Sequence, residues 1–246
     1  MVASPWFKEK LLTQTILSFF FIITSFFYTA HAQELRAMQA YTVHYDVLRD
    51  GDKLGTADRK LEKLTNGQWQ LSMSSTIRYL FFKDKRQETS RFEVINALVT
   101  PIQYQRLSDS NLKSDTTLVQ NFNWQTLTES GSYKGNQWNL AIKPGVLDQL
   151  TQLLPIRERL LQQKPITNVE ISYRGSIRLQ QFKVVSQEKI TTPQGIVDCA
   201  KVQLTEKEGR RITNFWFTLD DKMLPIKIQR IKDGEEEAQL VATSWN

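Results

Sequence analysis

Two-residue turn signals punctuate this chain at short intervals, and between them apolar residues alternate with polar ones. Asp50–Gly51, Asn66–Gly67, Gly135–Asn136 and Asp233–Gly234 are flanked by such runs, as is the longer turn Thr191–Gly195. Asn, Asp and Gly tolerate the positive φ angles of tight hairpins, so each signal joins two antiparallel neighbours. Tyr41, Val43, Tyr45 and Val47 alternate with Thr42, His44, Asp46 and Leu48, the period of a half-buried strand. Similar runs recur to the end of the chain, the last at Leu240–Trp245. Short connections throughout predict a mainly β fold: a strongly curved antiparallel sheet or half-open β-barrel of about ten or eleven strands.

One segment breaks this pattern. Within Lys143–Gln163, Leu147, Leu150, Leu153, Leu154, Leu160 and Leu161 recur at steps of three and four, one apolar face of a helix. Pro144–Gly145 marks its start, and Asp148 is placed to cap the first turn by accepting backbone N–H bonds. Pro155 cannot continue the helical ladder and disfavours helical geometry at Leu154, which predicts a kink or two short helices. A lone apolar helix among strands covers a face or a mouth of the sheet.

The N-terminus has a separate logic. Lys8 and Lys10 precede the apolar run Leu11–Tyr28, which ends at Ala30-His31-Ala32. That pattern is a secretory signal peptide, residues 1–32, with cleavage expected after Ala32 and a periplasmic destination. A retained membrane anchor is the competing reading of the same run. The mature chain, 33–246, shows no Gly/Ser or Pro linker and is expected to form a single β-rich domain. Cys199 is the only cysteine, so no intrachain disulfide supports the fold despite export. Removing the leader takes the net charge from +6 to +5, and the Lys and Arg residues are scattered. Nucleic acid is not an expected partner, whereas peripheral contact with a membrane surface fits a mildly basic envelope protein.

Catalytic sets are sparse. His44 is the only histidine after the leader, so a Ser-His-Asp device has to run through it, and no G-x-S-x-G element accompanies it. One Cys and one His do not make the usual zinc site, so neither a metal nor a cofactor is expected. Asp220 and Asp221 are adjacent and read as a turn, not an acid–base pair. No residue is assigned a catalytic role. The aromatic supply is more informative. Tyr79-Leu80-Phe81-Phe82 is apolar at every position, as a doubly buried or cavity-lining strand would be. Phe81 and Phe82 are therefore candidates on the sheet side of a ligand cavity, and Leu147, Leu150 and Leu154 on the helix side.

The turn TPQG at Thr192–Gly195, the segment NFWFTLDDKMLPIKI from Asn214 to Ile228, the early YTVHYDV and DGDKLGTA, and VLDQL with PIRERL in the helical stretch form a further pattern. In order and spacing they resemble the bacterial domain-of-unknown-function 3108 family of exported proteins, over most of Tyr41–Trp245. The family carries no established activity, so the resemblance transfers no catalytic residue. The layout also resembles the half-barrels of periplasmic lipoprotein carriers, in which helices lid an apolar cavity. The expectation is a non-catalytic binder or carrier of a lipid, acyl chain or other amphipathic ligand at the cell envelope. The alternative is an envelope structural or interaction protein with a filled core, partnered by another envelope protein.

Overall fold

The computed structural model describes residues 35–246, and of Tyr79 and Phe82 the backbone alone. The expected leader and its cleavage site lie outside the described residues. Among the described residues, fourteen strands form one antiparallel sheet. The first meander comprises β1 (Tyr41–Arg49), β2 (Asp52–Lys63), β3 (Trp69–Tyr79), β4 (Phe82–Ile95), β5 (Leu98–Ser110), β6 (Lys113–Asn123), β7 (Thr128–Tyr133) and β8 (Asn136–Ala141). Residues 142–168 follow as a strap that carries α1 (Leu153–Leu161). A second meander comprises β9 (Val169–Ser172), β10 (Ile177–Thr192), β11 (Gly195–Glu206), β12 (Arg211–Thr218), β13 (Pro225–Lys232) and β14 (Glu235–Trp245).

The two meanders join through their first and last strands. β1 pairs with β14 in the middle of the sheet, leaving β8 and β9 as its edges. The strap connects those edges. No ladder closes β8 on β9, so the sheet is an open, curved relative of a barrel, as the turn pattern predicts. There are fourteen strands instead of ten or eleven because polar stretches also hold β geometry. The run Lys83–Ser90 in β4 has no apolar alternation, yet it stays in register between β3 and β5. Ladder partners on both sides satisfy its backbone without help from side-chain pattern.

The concave face is organised in rows. Tyr41, Leu61, Leu71, Ser90, Tyr104, Gln120, Gly131 and Trp138 stand opposite one another across β1 to β8. The first six are buried. One row further from the strap, Arg59, Met73, Glu88 and Arg106 align and the face becomes charged. The Arg59 guanidinium donates to the Tyr41 hydroxyl at 3.0 Å, and the Tyr104 hydroxyl donates to Glu88 at 2.5 Å.

α1 is shorter than the leucine spacing predicts and is a single helix. Pro155 is its third residue, inside the first turn, where no intrahelical N–H is needed. Proline therefore begins this helix instead of kinking it. The preceding residues form turns, with Asp148 as their organiser. Its Oδ1 accepts the N–H groups of Leu150 at 2.8 Å and Thr151 at 2.9 Å, and its Oδ2 accepts the Ser90 hydroxyl. Burial raises the Asp148 carboxyl above its ordinary range, and those donors oppose the rise.

The open side is held by side chains. The strap adds a short parallel bridge to β9, with Leu147 N–H donating to Glu170 at 2.9 Å and Ser172 N–H to Leu147 at 2.8 Å. Deeper in, the buried Glu129 of β7 accepts from Ser172 of β9 at 2.9 Å, from Trp138 of β8 at 2.9 Å and from Gln120 of β6 at 3.2 Å. The Trp138 ring lies so close over Gly131 that a Cβ there would collide with it, and it also packs against Gly175. Above this network Arg174 stacks on Tyr133 at 3.9 Å and Arg178 on Tyr173 at 3.9 Å.

Candidate functional site

α1 is fastened to the residues just ahead of β1. Glu158 accepts the Ala37 N–H at 2.7 Å, and Arg36 donates to the Leu161 carbonyl at 2.7 Å. Arg157 is buried and donates to the carbonyls of Lys222 at 2.7 Å and Ala37 at 2.6 Å, with its guanidinium over the Tyr41 ring at 4.9 Å. Burial lowers the basicity of that guanidinium. These bonds tie the helix to the segment ahead of β1 and to the β12–β13 turn.

That placement leaves a cleft of about 530 Å³ beside α1. Its walls are Leu35, the β4–β5 turn at Ala97–Val99, Pro144–Leu147, the helix face of Pro155, Glu158, Arg159 and Gln162, residues 168–170 and Leu179. The lining is largely apolar; its charged and amide groups are Glu158, Arg159 and Gln162 on and beside the helix and Asn168 and Glu170 at β9. Leu98 and Leu179 remain 47% and 57% exposed at its mouth. Pockets of this size, apolar with a few polar groups, are typical of small-molecule sites.

Of the residues singled out in the sequence, Leu147, Leu150 and Leu154 come together, all buried in the core below the strap. Leu147 also floors the cleft. Phe81 is elsewhere: it sits in the β3–β4 turn and is 91% exposed. Nine residues of extended chain separate it from Ser90, the strand residue that meets Asp148, roughly 30 Å. The side chain of Phe82 lies outside the described residues. Leu98, Val99 and Leu179, the cleft residues that sequence reasoning missed, stand on two separate hairpins. No local spacing connects them.

The chemical candidates have structural partners. His44 Nδ1 lies 2.5 Å from Asp58 Oδ1 on the outer face, both side chains half exposed. Ser244 stands opposite His44 on β14, completing a Ser-His-Asp row, but the ring's hydrogen-bond partner among the described residues is Asp58. Asp220 Oδ1 accepts the Thr218 hydroxyl at 2.6 Å and the N–H groups of Lys222 at 3.0 Å and Met223 at 2.8 Å, as a turn-organising carboxylate does. Cys199 is buried, which pushes its thiol up to about 12.

Residues 40–241 match the family model described as a protein of unknown function, DUF3108. The chain belongs to the DUF3108 family. The DUF3108 span takes in the strap, the side-chain seam and the whole cleft apart from Leu35. The crystal structure of a beta-barrel-like protein of domain of unknown function DUF1849 from Brucella abortus is similar in fold. It is 7% identical, with 85% of this chain and 98% of that one covered at a TM-score of 0.57. At that identity the likeness is one of fold. No curated protein matches the chain.

Proposed function

We propose that the protein is an exported, non-catalytic binder at the cell envelope that holds the apolar part of an amphipathic ligand, such as an acyl chain, beside α1. The observation that carries this reading is the 530 Å³ cleft, apolar in its walls and open at Leu98 and Leu179. A single extended hydrocarbon chain fits such a volume, and Arg159 on the rim suits an anionic end group. Export is read from the leader pattern in the sequence. The reading departs from the sequence expectation in one respect: the ligand lies beside the helix, since Leu147, Leu150 and Leu154 fill the space below it.

Native mass spectrometry of detergent-free protein, followed by solvent extraction, tests this. A stoichiometric lipid adduct, or one-site uptake of a fluorescent fatty acid, is expected. Leu98→Arg should weaken uptake at least about tenfold through the loss of apolar contact, without unfolding a residue that is half exposed. A clean apo mass together with no uptake sinks the carrier reading. It would leave the alternative, an envelope interaction protein, which the filled core under the strap favours.

A further inference from the structure

Leu80 and Phe81 are 84% and 91% exposed, the highest values among the exposed large apolar side chains of the described residues. They form the two-residue turn between the paired Tyr79 and Phe82. The adjacent β5–β6 turn presents Leu112, 68% exposed. Asn111 locks the two turns together: its Oδ1 accepts the Lys83 N–H at 2.9 Å, its own N–H donates to the Lys83 carbonyl at 3.2 Å, and its side-chain amide donates to the Phe81 carbonyl. Three apolar side chains thus project as one fixed tip.

This tip is built against the usual chemistry of its turn. Leu80 holds φ at 52°, the left-handed region that disfavours a bulky L residue. Three other two-residue hairpin turns, Asp50–Gly51, Lys134–Gly135 and Asp233–Gly234, carry glycine at positive φ, whereas Asn96–Ala97 does without it but uses small or turn-favouring residues. A hairpin needing only to reverse direction is better served by those residues. Immediately behind the tip stand Arg78, Lys83 and Lys113, with Lys85 one position further back. The nearby Asp84 is already paired with Arg86 at 2.9 Å, and Asp109 stands opposite Lys85 and offsets it, which leaves Arg78, Lys83 and Lys113 as the collar.

We propose that the joined tips at Leu80–Phe81 and Leu112 dock on a lipid bilayer carrying anionic headgroups, with the three apolar side chains entering the interface and the basic collar resting on the phosphates. An apolar point ringed by cations matches the layered chemistry of such an interface, where burial and charge attraction act together. This surface lies at the far end of β4 from the cleft. It shares with the proposed function the envelope setting and does not depend on cleft occupancy.

The test is flotation with vesicles of phosphatidylethanolamine and phosphatidylglycerol, compared with phosphatidylcholine alone, at low and high salt. The decisive variant is Leu80→Gly with Phe81→Asn, which places glycine at the positive-φ position and removes the apolar tip. It should keep or raise the melting temperature and retain fatty-acid uptake in the cleft. Binding to anionic vesicles should fall at least about tenfold, as loss of a buried Phe predicts. Leu112→Ser should lower it several-fold, and high salt should weaken the wild type. No wild-type binding to anionic vesicles overturns the proposal, as does unchanged binding by the double variant. A variant that keeps vesicle binding but loses a crosslinked protein neighbour overturns it in favour of a protein partner.

Discussion

The sheet has two seams made of different materials. At β1–β14 the halves meet through a backbone ladder running from Val43↔Trp245 to Leu48↔Gln239, backed by the Tyr45 hydroxyl donating to the Pro225 carbonyl at 2.5 Å. At β9 the sheet returns on β6–β8 without a shared ladder. Contact there is concentrated on Glu129, the Trp138 ring and the Arg174–Tyr133 stack. A ladder spreads stability over many modest bonds, so removing one leaves the others intact. A side-chain seam depends on one or two groups, and a buried donor left unmatched there carries the full cost of its desolvation. The first seam is tolerant of substitution, whereas the second can be opened at a single residue.

Glu129→Ala should break the comparison most severely. It leaves the buried Ser172 hydroxyl and the half-buried Trp138 N–H without their acceptor, while Gln120 keeps Ser172 Oγ at 2.9 Å, for a loss of about 2–3 kcal/mol measured by urea unfolding. Hydrogen exchange should show β7–β9 amides losing protection before those of β1 and β14; equal loss in both would mean the seams open as one unit. Gly131→Ala forces the Trp138 ring outward and should cost about 2 kcal/mol. Red-shifted tryptophan emission would report the displaced ring, and unchanged stability would show that the ring relocates freely. Arg174→Ala removes an exposed stack and should cost only about 0.5–1 kcal/mol by thermal melting.

The smallest change at neutral pH concerns the strap that docks on the second seam. The Asp148 carboxyl is raised in the folded state, so the folded chain binds a proton that the unfolded chain has already released. Stability from this group is therefore complete below the unfolded carboxylate range and declines as pH rises through the raised value. Asp148→Asn preserves an acceptor for Leu150 and Thr151 and removes the titration, so at neutral pH its stability should equal or modestly exceed that of the wild type. Unfolding curves across the acid range should show the variant lacking that decline. An identical slope in both proteins would remove Asp148 from the account.

Much of the sheet was legible because its signals are local. Alternation in Tyr41–Val47 puts Tyr41, Val43, Tyr45 and Val47 in the core, and glycine marks several hairpins. Asp148 was readable as an acceptor for the N–H groups two and three residues on, but the turn it caps precedes α1, whose own N-cap is Gln152. What failed needed neighbours distant in sequence. Pro155 was ambiguous between breaking and starting a helix until the turns before it were known. The apolar run Tyr79–Phe82 looked doubly buried, yet its centre is an exposed turn. By contrast Phe215-Trp216-Phe217 is buried on both faces. Trp216 faces outward beneath Lys201 and Lys227, at 4.9 Å and 4.8 Å, and donates to Glu188 at 2.7 Å. Sequence alone cannot separate these two runs, since a strand with two core phenylalanines and one lysine-covered tryptophan and a bare turn are both unbroken apolar stretches. The cleft was illegible for the same reason, its walls coming from six stretches of chain.

The meeting of β1 and β14 also sets an order of events. Thr42 bonds to Asn246 across 204 positions, so the central ladder of the sheet waits for the last residues of the chain to arrive. A polypeptide made or threaded N-terminus first can assemble β1–β8 early, but the outer edge of β1 stays bare throughout. Contacts so far apart are slow to form, and an uncovered edge is open to pairing with a foreign strand. Trimming the final dozen residues would not shorten this sheet at its margin. It would split it through the middle.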